Sequence, residues 1–316
     1  LDQDKNVVIV GGTGLYIKAL LYDYRFDLEE TKSNYDHLTN EEIMALLDDA
    51  ICFRKGEEKF KLSGKIIANC FFEPSTRTQY SFNTAELMLD AKVLSFNPAS
   101  SSMSKGETFY DTIKTFESFG VDGIVIRSSQ TKYYDELKKI KCAIINAGDG
   151  TGDHPSQNLL DLLTIYDEFG HFEGIKVLMV GDIIHSRVAH GNAKIMKRLG
   201  MECMIAGPKE FLDDTAKIVD FDEGIKEADV VMMLRIQRER NAHLESLTDS
   251  EYLNRYGLTK ERVSKMKNNA IIMHPAPFNR GVELEDSVVE CDKSRIFKQI
   301  QNGVFARCAI LKRSFE

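Results

Sequence analysis

The sequence predicts an α/β protein with parallel sheets, and two observations carry that prediction. Short apolar runs at 65–70, 92–96, 123–127, 143–146, 176–180, 202–206, 230–234 and 270–273 alternate with helical patterns at 75–89, 108–119, 133–139, 155–168, 186–199 and 208–217. That is the rhythm of βαβ units. The chemistry-bearing residues fall just after the apolar runs, and such sheets bind ligands beyond the carboxyl ends of their strands. They are 73–78, Arg127, 149–157, 182–187, 235–237 and 274–280.

Composition bounds the function. A chain of 316 residues, 43% hydrophobic, is long enough for two domains with real cores. A formal charge of −8 argues against non-specific nucleic-acid binding, though not against small anions, which respond to local charge. Six cysteines stand singly with no CxxC pair, which points to reduced thiols in a cytoplasmic protein and away from a zinc site. No stretch approaches the about 20 apolar residues of a membrane span, and residues 1–30 lack the pattern of a secretory signal.

Thr39 is a good N-cap for a first helix. The run 65–70 reads as a buried strand, and Phe71-Phe72-Glu73-Pro74-Ser75-Thr76-Arg77-Thr78 follows it. Ser75 falls where an N-cap belongs before the helix 75–89. A helix start offers unpaired N–H groups and partial positive charge. With Arg77 and three hydroxyls added, residues 75–78 form a phosphate cradle; an ordinary capped helix is the plainer alternative. Asp149-Gly150-Thr151-Gly152-Asp153-His154-Pro155-Ser156-Gln157 is a flexible loop entering a helix, with Pro155 suited to its first turn. His154 there can donate to a carbonyl oxygen, although a histidine near a helix start is more often a surface cap. A polar, Gly-containing stretch at 169–174 separates the halves of the chain. Met273-His274-Pro275-Ala276-Pro277-Phe278-Asn279-Arg280-Gly281 follows the last strand, and its prolines leave carbonyls without helical partners. On its own that is a rigid turn. The last helix, 294–315, should pack on the first domain through a face of Ile296, Phe297, Ile300, Val304 and Cys308.

Taken together, these three motifs resemble the catalytic chain of the aspartate carbamoyltransferase family, in its Bacillus-type bacterial form, over residues 36–316. Ser101-Ser102-Met103-Ser104-Lys105, Gly181-Asp182-Ile183-Ile184-His185-Ser186-Arg187 and Leu234-Arg235-Ile236-Gln237 also match. The resemblance implies two doubly wound domains, each a mainly parallel sheet flanked by helices: 36–168 with the C-terminal helix 294–316 for carbamoyl phosphate, and 169–293 for aspartate. It implies transfer of the carbamoyl group of carbamoyl phosphate to L-aspartate, a committed step of de novo pyrimidine biosynthesis, with no metal or organic cofactor. Arg77, Thr78, Arg127 and His154 become the catalytic residues. Ser75, Thr76, Gln157 and the carbonyls of Ala276 and Pro277 complete the carbamoyl phosphate site. Arg187, Arg235 and Gln237 hold the aspartate carboxylates. Ser101 and Lys105 would reach a neighbouring subunit's site to bind its carbamoyl phosphate, Lys105 its aspartate as well, which makes a homotrimer, with room for regulatory chains, and Glu73 would help close the domains through Arg187 and Arg240.

Some residues depart from the family pattern. Gln79, Ser128 and Phe278 stand where Arg, His and Val are common, and none removes a residue assigned to chemistry. The alternatives are an ornithine or other amino-acid carbamoyltransferase, and a catalytically silent subunit. His274-Pro275-Ala276-Pro277 and the absence of Ser-Met-Gly disfavour the ornithine enzyme. Residues 1–31 do not fit; Val7-Val8-Ile9-Val10-Gly11-Gly12-Thr13-Gly14-Leu15-Tyr16-Ile17-Lys18-Ala19-Leu20 resembles a fragment of tRNA dimethylallyltransferase. Without a GxxxxGK[ST] loop, the segment 1–35 is expected to be extraneous and without activity of its own.

Overall fold

Among the described residues, the strands hydrogen-bond into two sheets, both entirely parallel. The computed structural model describes residues 38–150, 152, 154–236 and 248–316. The front segment, Asp153, Gln237 and Arg240 lie outside the described residues. In chain order the elements are α1 (Asn40–Lys55), β1 (Ile66–Phe71), α2 (Thr76–Met88), β2 (Lys92–Phe96), α3 (Phe109–Ser118), β3 (Gly123–Ser128), β4 (Ala143–Asp149), α4 (Pro155–Phe169), β5 (Lys176–Val180), α5 (Arg187–Arg198), β6 (Glu202–Ala206), β7 (Lys217–Ile218), α6 (Phe221–Glu227), β8 (Val230–Met233), α7 (Asp249–Tyr256), α8 (Lys260–Val263), β9 (Ile271–Met273), α9 (Asp286–Val289) and α10 (Ile296–Phe315).

The chain divides into two units, one running to Leu159 and taking Asn302–Glu316, the other Leu160–Gln301. The first contains the sheet β2-β1-β3-β4, the second β7-β6-β5-β8-β9. Strand order reverses between β1 and β3 in one sheet and between β5 and β8 in the other. These are the topological switch points at which open α/β sheets bind ligands.

The central strands are continuous apolar runs because both faces are covered; all six residues of β3 are buried. Successive residues face opposite sides. In the first unit Ile67, Val125 and Ile145 pack with Phe82 and Leu311, while Ala68, Ile124, Ile126 and Ile144 pack with Ile113 and Leu137. In the second, Leu178, Val180, Val231, Met233 and Ile272 meet Ile225, Leu258 and Ile296. β2, an edge strand, has no fully buried residue.

α1 starts at a capping box in which Thr39 and Glu42 satisfy each other's backbone N–H, and it stops at Gly56, whose φ of 73° suits glycine. The end of α10 is tied to it by charge. Lys312 Nζ lies 2.8 Å from Asp49 and 2.5 Å from Glu58, and Arg313 lies 2.9 Å from Glu42. The C-terminal helix thus packs on the first unit, as expected.

Three local expectations fail. The helix expected at 208–217 is a 3-10 turn, Lys209–Phe211, followed by the edge strand β7. The Asp213 carboxylate accepts the Thr215 N–H at 2.9 Å, a local bond that competes with helix. The pattern at 133–139 is a 3-10 helix, Tyr133–Leu137. Its Tyr133 hydroxyl is drawn to the Ile126 carbonyl and Asn146 Oδ1, at 3.0 and 3.1 Å. The buried stripe of α10 is only partly the one expected: Ile296 and Cys308 are buried, but Phe297 and Ile300 are 51% and 37% exposed. Gln299, Asn302 and Arg307 are buried instead. Gln299 does so by donating to Asp161 at 2.8 Å and accepting from the His274 N–H at 2.8 Å.

One buried acid lies in the first unit. Glu86 on α2 is fully buried and accepts from the Asn69 amide at 2.6 Å. Burial raises its pKa from 4.5 to about 8, against the lowering effect of Asn69. The folded state therefore holds a proton that the unfolded chain releases near 4.5. That stabilisation is present in full below about 4.5 and is lost as pH rises through about 8. Glu86→Gln should flatten the decline of Tm between these limits and stabilise the protein by on the order of 2 kcal/mol at pH 9. Thermal melts across pH read this, and an unchanged slope would refute it.

Candidate functional site

Arg127, near the end of β3, is buried to 7% exposure at the switch point of the first sheet. The pairing of β3 with β4 shifts register at Ile126/Arg127, so that Arg127 lies opposite Gly148. Asn146 Oδ1 accepts the Gly148 N–H at 2.8 Å and fixes the irregularity. A Cβ at Gly148 would come within 2.9 Å of Arg127 Nη1, and φ there is 136°, so glycine is required on both counts.

The chain leaving β1 folds over the same residue. The Phe72 and Glu73 N–H groups both donate to the Arg127 carbonyl, at 2.7 and 3.3 Å. This turn carries the Glu73 carboxylate to 2.9 Å from Arg127 Nη2. Ser75 is the N-cap of α2 by backbone position, yet its side chain makes no cap. Its hydroxyl donates to Thr78 Oγ1 at 3.0 Å instead. Thr78 is buried, whereas Thr76 and Arg77 are exposed.

α4 opens at Pro155, and its first turn carries His154 and Gln157, 7% and 8% exposed. The His154 carbonyl accepts the Gln157 N–H at 2.9 Å. His154 Nε2 lies 3.3 Å from Arg127 Nη1 and 3.5 Å from Thr78 Oγ1. A guanidinium can only donate, so a hydrogen bond between the two requires Nε2 to accept. Arg127 Nη1 also lies 3.3 Å from the Ala147 carbonyl. Glu73, Ser75, Thr78, Arg127 and His154 are therefore one cluster, with Arg77 on its exposed helical turn and Gln157 behind His154.

Ser101 and Lys105 are not drawn into it. Ser101 caps a 3-10 turn, Ser102–Lys105, and donates to the Pro98 carbonyl at 2.7 Å. Lys105 is exposed.

In the second unit, the switch point lies between β5 and β8. Gly181, at φ 129°, allows close approach: a Cβ there would lie 2.8 Å from the Leu234 carbonyl oxygen. Just beyond, buried Asp182 accepts from the His185 backbone N–H at 3.2 Å and from its ring Nδ1 at 2.8 Å. Ser186 caps α5 through the Ala189 N–H, and Arg187 is the first helical residue. Arg235 follows β8, and the Ile236 N–H donates to buried Glu283 at 3.0 Å. Glu283 also accepts the Asn279 N–H at 2.7 Å and so shapes the 274–283 loop. In that loop Ala276 has φ 54° and its bond to Pro277 is cis. Among the described residues no donor reaches the Ala276 or Pro277 carbonyl.

Spacing does not reveal the Glu73–Arg127 pair or the anchoring role of Glu283, since both depend on contacts between distant parts of the sequence. Burial pushes the Cys142 and Cys308 thiols up to about 12 and Cys203 to about 11, which makes them poor nucleophiles. Among the described residues no His/Cys/Asp/Glu group is arranged to hold a metal ion.

Hydroxyls and a guanidinium beside a helix start in one unit, and arginines at the switch point of the other, define a protein built for small anionic ligands. Models of known families place it further. Residues 33–167 match the carbamoyl-P binding domain, and residues 173–313 the Asp/Orn binding domain, of aspartate/ornithine carbamoyltransferases. The chain belongs to the aspartate/ornithine carbamoyltransferase family. It is 50% identical over 279 residues to the aspartate carbamoyltransferase catalytic subunit of Listeria welshimeri, covering 87% of this chain and 92% of that one. It is similar in fold to aspartate transcarbamoylase from Trypanosoma cruzi in complex with carbamoyl aspartate and phosphate. There the TM-score is 0.78 at 28% identity, covering 98% of this chain and 97% of the other. The same enzyme in complex with N-(phosphonacetyl)-L-aspartic acid gives 0.77 at 30% identity, covering 88% and 93%.

Gly148→Ala tests how tightly the cluster is built. The added methyl should push the Arg127 side chain from its place and lower stability by about 1–3 kcal/mol. Inorganic phosphate affinity, measured by calorimetry, should fall at least about tenfold; unchanged affinity would show that Gly148 does not set the position of Arg127.

Proposed function

We propose that the protein is an aspartate carbamoyltransferase: the aspartate amine attacks the carbonyl carbon of carbamoyl phosphate, the bond to the phosphate oxygen breaks, and N-carbamoyl-L-aspartate and phosphate leave. The observation that carries this reading is the convergence of Thr78, Arg127 and His154 at the switch point of the first sheet. It occurs in a chain half identical to an aspartate carbamoyltransferase catalytic subunit.

Ser75, Thr76, Arg77 and Thr78 hold the phosphate and neutralise the leaving group. Arg127, His154 and Thr78 surround the carbamoyl oxygen and stabilise charge as the tetrahedral centre forms. His154 Nε2 faces Arg127 in this structure, so its donation requires the guanidinium to turn to the ligand and the ring proton to sit on Nε2. Gln157 and the open carbonyls of Ala276 and Pro277 suit the carbamoyl NH2. Arg187, Arg235 and Gln237 supply cations and an amide for the two aspartate carboxylates. No covalent nucleophile takes part; the amine proton leaves with the phosphate. Glu73 is paired with Arg127 here, so its role in domain closure, with Arg240, requires that pair to open first.

Among the described residues Ser101 bonds locally to the Pro98 carbonyl and Lys105 is exposed, an arrangement that leaves both available to a neighbouring subunit's site in a homotrimer. The place of work is the cytoplasm, and the pathway is pyrimidine synthesis.

Assays with carbamoyl phosphate and either aspartate or ornithine test the reaction; a ureido product from aspartate alone is expected, and none from a folded protein refutes it. Arg77→Ala should lower kcat by at least about a hundredfold with the fold intact. For the shared site, mixing inactive Lys105→Ala with inactive Arg127→Ala protein should restore part of the activity. No rescue, with subunit exchange demonstrated, would count against it.

A further inference from the structure

Beneath the cluster is a second buried guanidinium with no role in the reaction as described. Arg307 of α10 is 3% exposed. Among the described residues it has no carboxylate partner. Its Nη1 donates to Ser81 Oγ at 3.1 Å and to the Gly303 carbonyl at 2.8 Å, and its Nη2 donates to Ser156 Oγ at 3.2 Å. Its guanidinium carbon lies 5.0 Å from the centre of the Phe82 ring, while Nε is buried without a partner. A buried cation without a counter-charge is costly, and a hydrophobic side chain at this place would avoid the cost. Burial, with the nearby positive charge of Arg127, lowers the Arg307 pKa to about 9.

The two serines explain what the cation does. Ser81 is on α2 one turn beyond Thr78, and Ser156 is on α4 two residues beyond His154. Thr78 and His154 are the residues whose side chains meet at 3.5 Å. A planar guanidinium can bond both serines at once in fixed geometry; an ammonium on a flexible stem cannot reproduce that fork. We propose that Arg307 is a positioning residue for carbamoyl transfer: by bonding Ser81 and Ser156 together it locks the opening turns of α2 and α4, and so holds Thr78 and His154 in register. This rests on the carbamoyl oxygen being met by those two side chains. Phe82 forms the floor of the clamp, packed on Leu311 and Cys308 of the same helix that carries Arg307.

The test uses the full chain, with kcat and the carbamoyl phosphate KM measured beside Tm and the imidazole NMR signal of His154. Arg307→Met should lower kcat at least tenfold and change KM less than threefold, because the clamp serves the transition state. Ser156→Ala should give part of that loss, and the double variant should be no slower than Arg307→Met alone. Arg307→Lys should stay slow, since one ammonium cannot hold both serines. In each slowed variant the His154 ring signal should shift. A variant with lower Tm but kcat within twofold of the parent would mean that Arg307 only stabilises the fold. A parent-like kcat in Arg307→Lys would mean that charge alone matters, and either result overturns the proposal. If Arg307→Met does not fold, Ser81→Ala and Ser156→Ala decide: unchanged kcat and His154 signal in both overturn it. A parent protein that folds but makes no ureido product overturns the functional reading instead, and the His154 signal still decides the clamp.

Discussion

The first unit is organised around one electrostatic constraint: a guanidinium buried at the C-terminal end of a central strand. Arg127 is almost out of contact with solvent, and a cation so placed must be met by acceptors. Glu73, the Ala147 carbonyl and His154 Nε2 meet it. Each of them depends on a separate backbone device. The Glu73 carboxylate arrives because two successive N–H groups after β1 bond the Arg127 carbonyl. The shifted register with β4, held by Asn146, places Gly148 beside the side chain and leaves it room. His154 is delivered by the start of α4 at Pro155. The pair with Glu73 also means that an anionic ligand entering the cradle competes with a carboxylate already there.

The second unit solves a related problem with different chemistry. Its strand order also reverses, between β5 and β8, and glycine again permits the close approach of two strand ends. The groups presented there are Arg187 and Arg235, and buried acids hold the backbone around them. Asp182 fixes the turn before Arg187 through His185, and Glu283 fixes the residue after Arg235. In the proposed reading the division follows ligand shape. Hydroxyls and helix N–H groups suit a tetrahedral phosphate, and planar guanidiniums suit carboxylates.

Much of this was legible from the sequence, for reasons that differ by element. Buried parallel strands read as continuous apolar runs, so β5 and β6 fall at the expected residues. The motifs at 73–78 and 149–157 were visible because ligand-binding turns use unusual residue types at strand ends. Where side chains bond locally or across long separations, the pattern misled. Asp213 turned an expected helix into an edge strand, and α10 buried Gln299 and Arg307 while exposing Phe297 and Ile300. Hydrophobic periodicity assumes that polar residues seek water. A polar residue with a partner waiting in the core, such as Gln299 between Asp161 and His274, violates that assumption and cannot be read from spacing.

Catalysis without a covalent nucleophile or a redox group leaves position as the main resource. A misplacement of about 1 Å can cost about a hundredfold in rate, far more than the loss of a single surface contact. A site that works as proposed, with hydroxyls, a ring nitrogen and a guanidinium around one carbonyl, needs rigid supports outside the ligand's reach. Apolar packing resists displacement only weakly in direction, whereas hydrogen bonds fix orientation. This accounts for polar groups buried where a hydrophobic core would be more stable: Asn146 behind Gly148, Glu283 behind Arg235, and Arg307 beneath Ser81 and Ser156. None of the three is placed to touch the ligand in the roles proposed above. In the reading proposed above, each fixes backbone next to a residue assigned to the ligand, and so converts fold stability into the geometry that carbamoyl transfer would need.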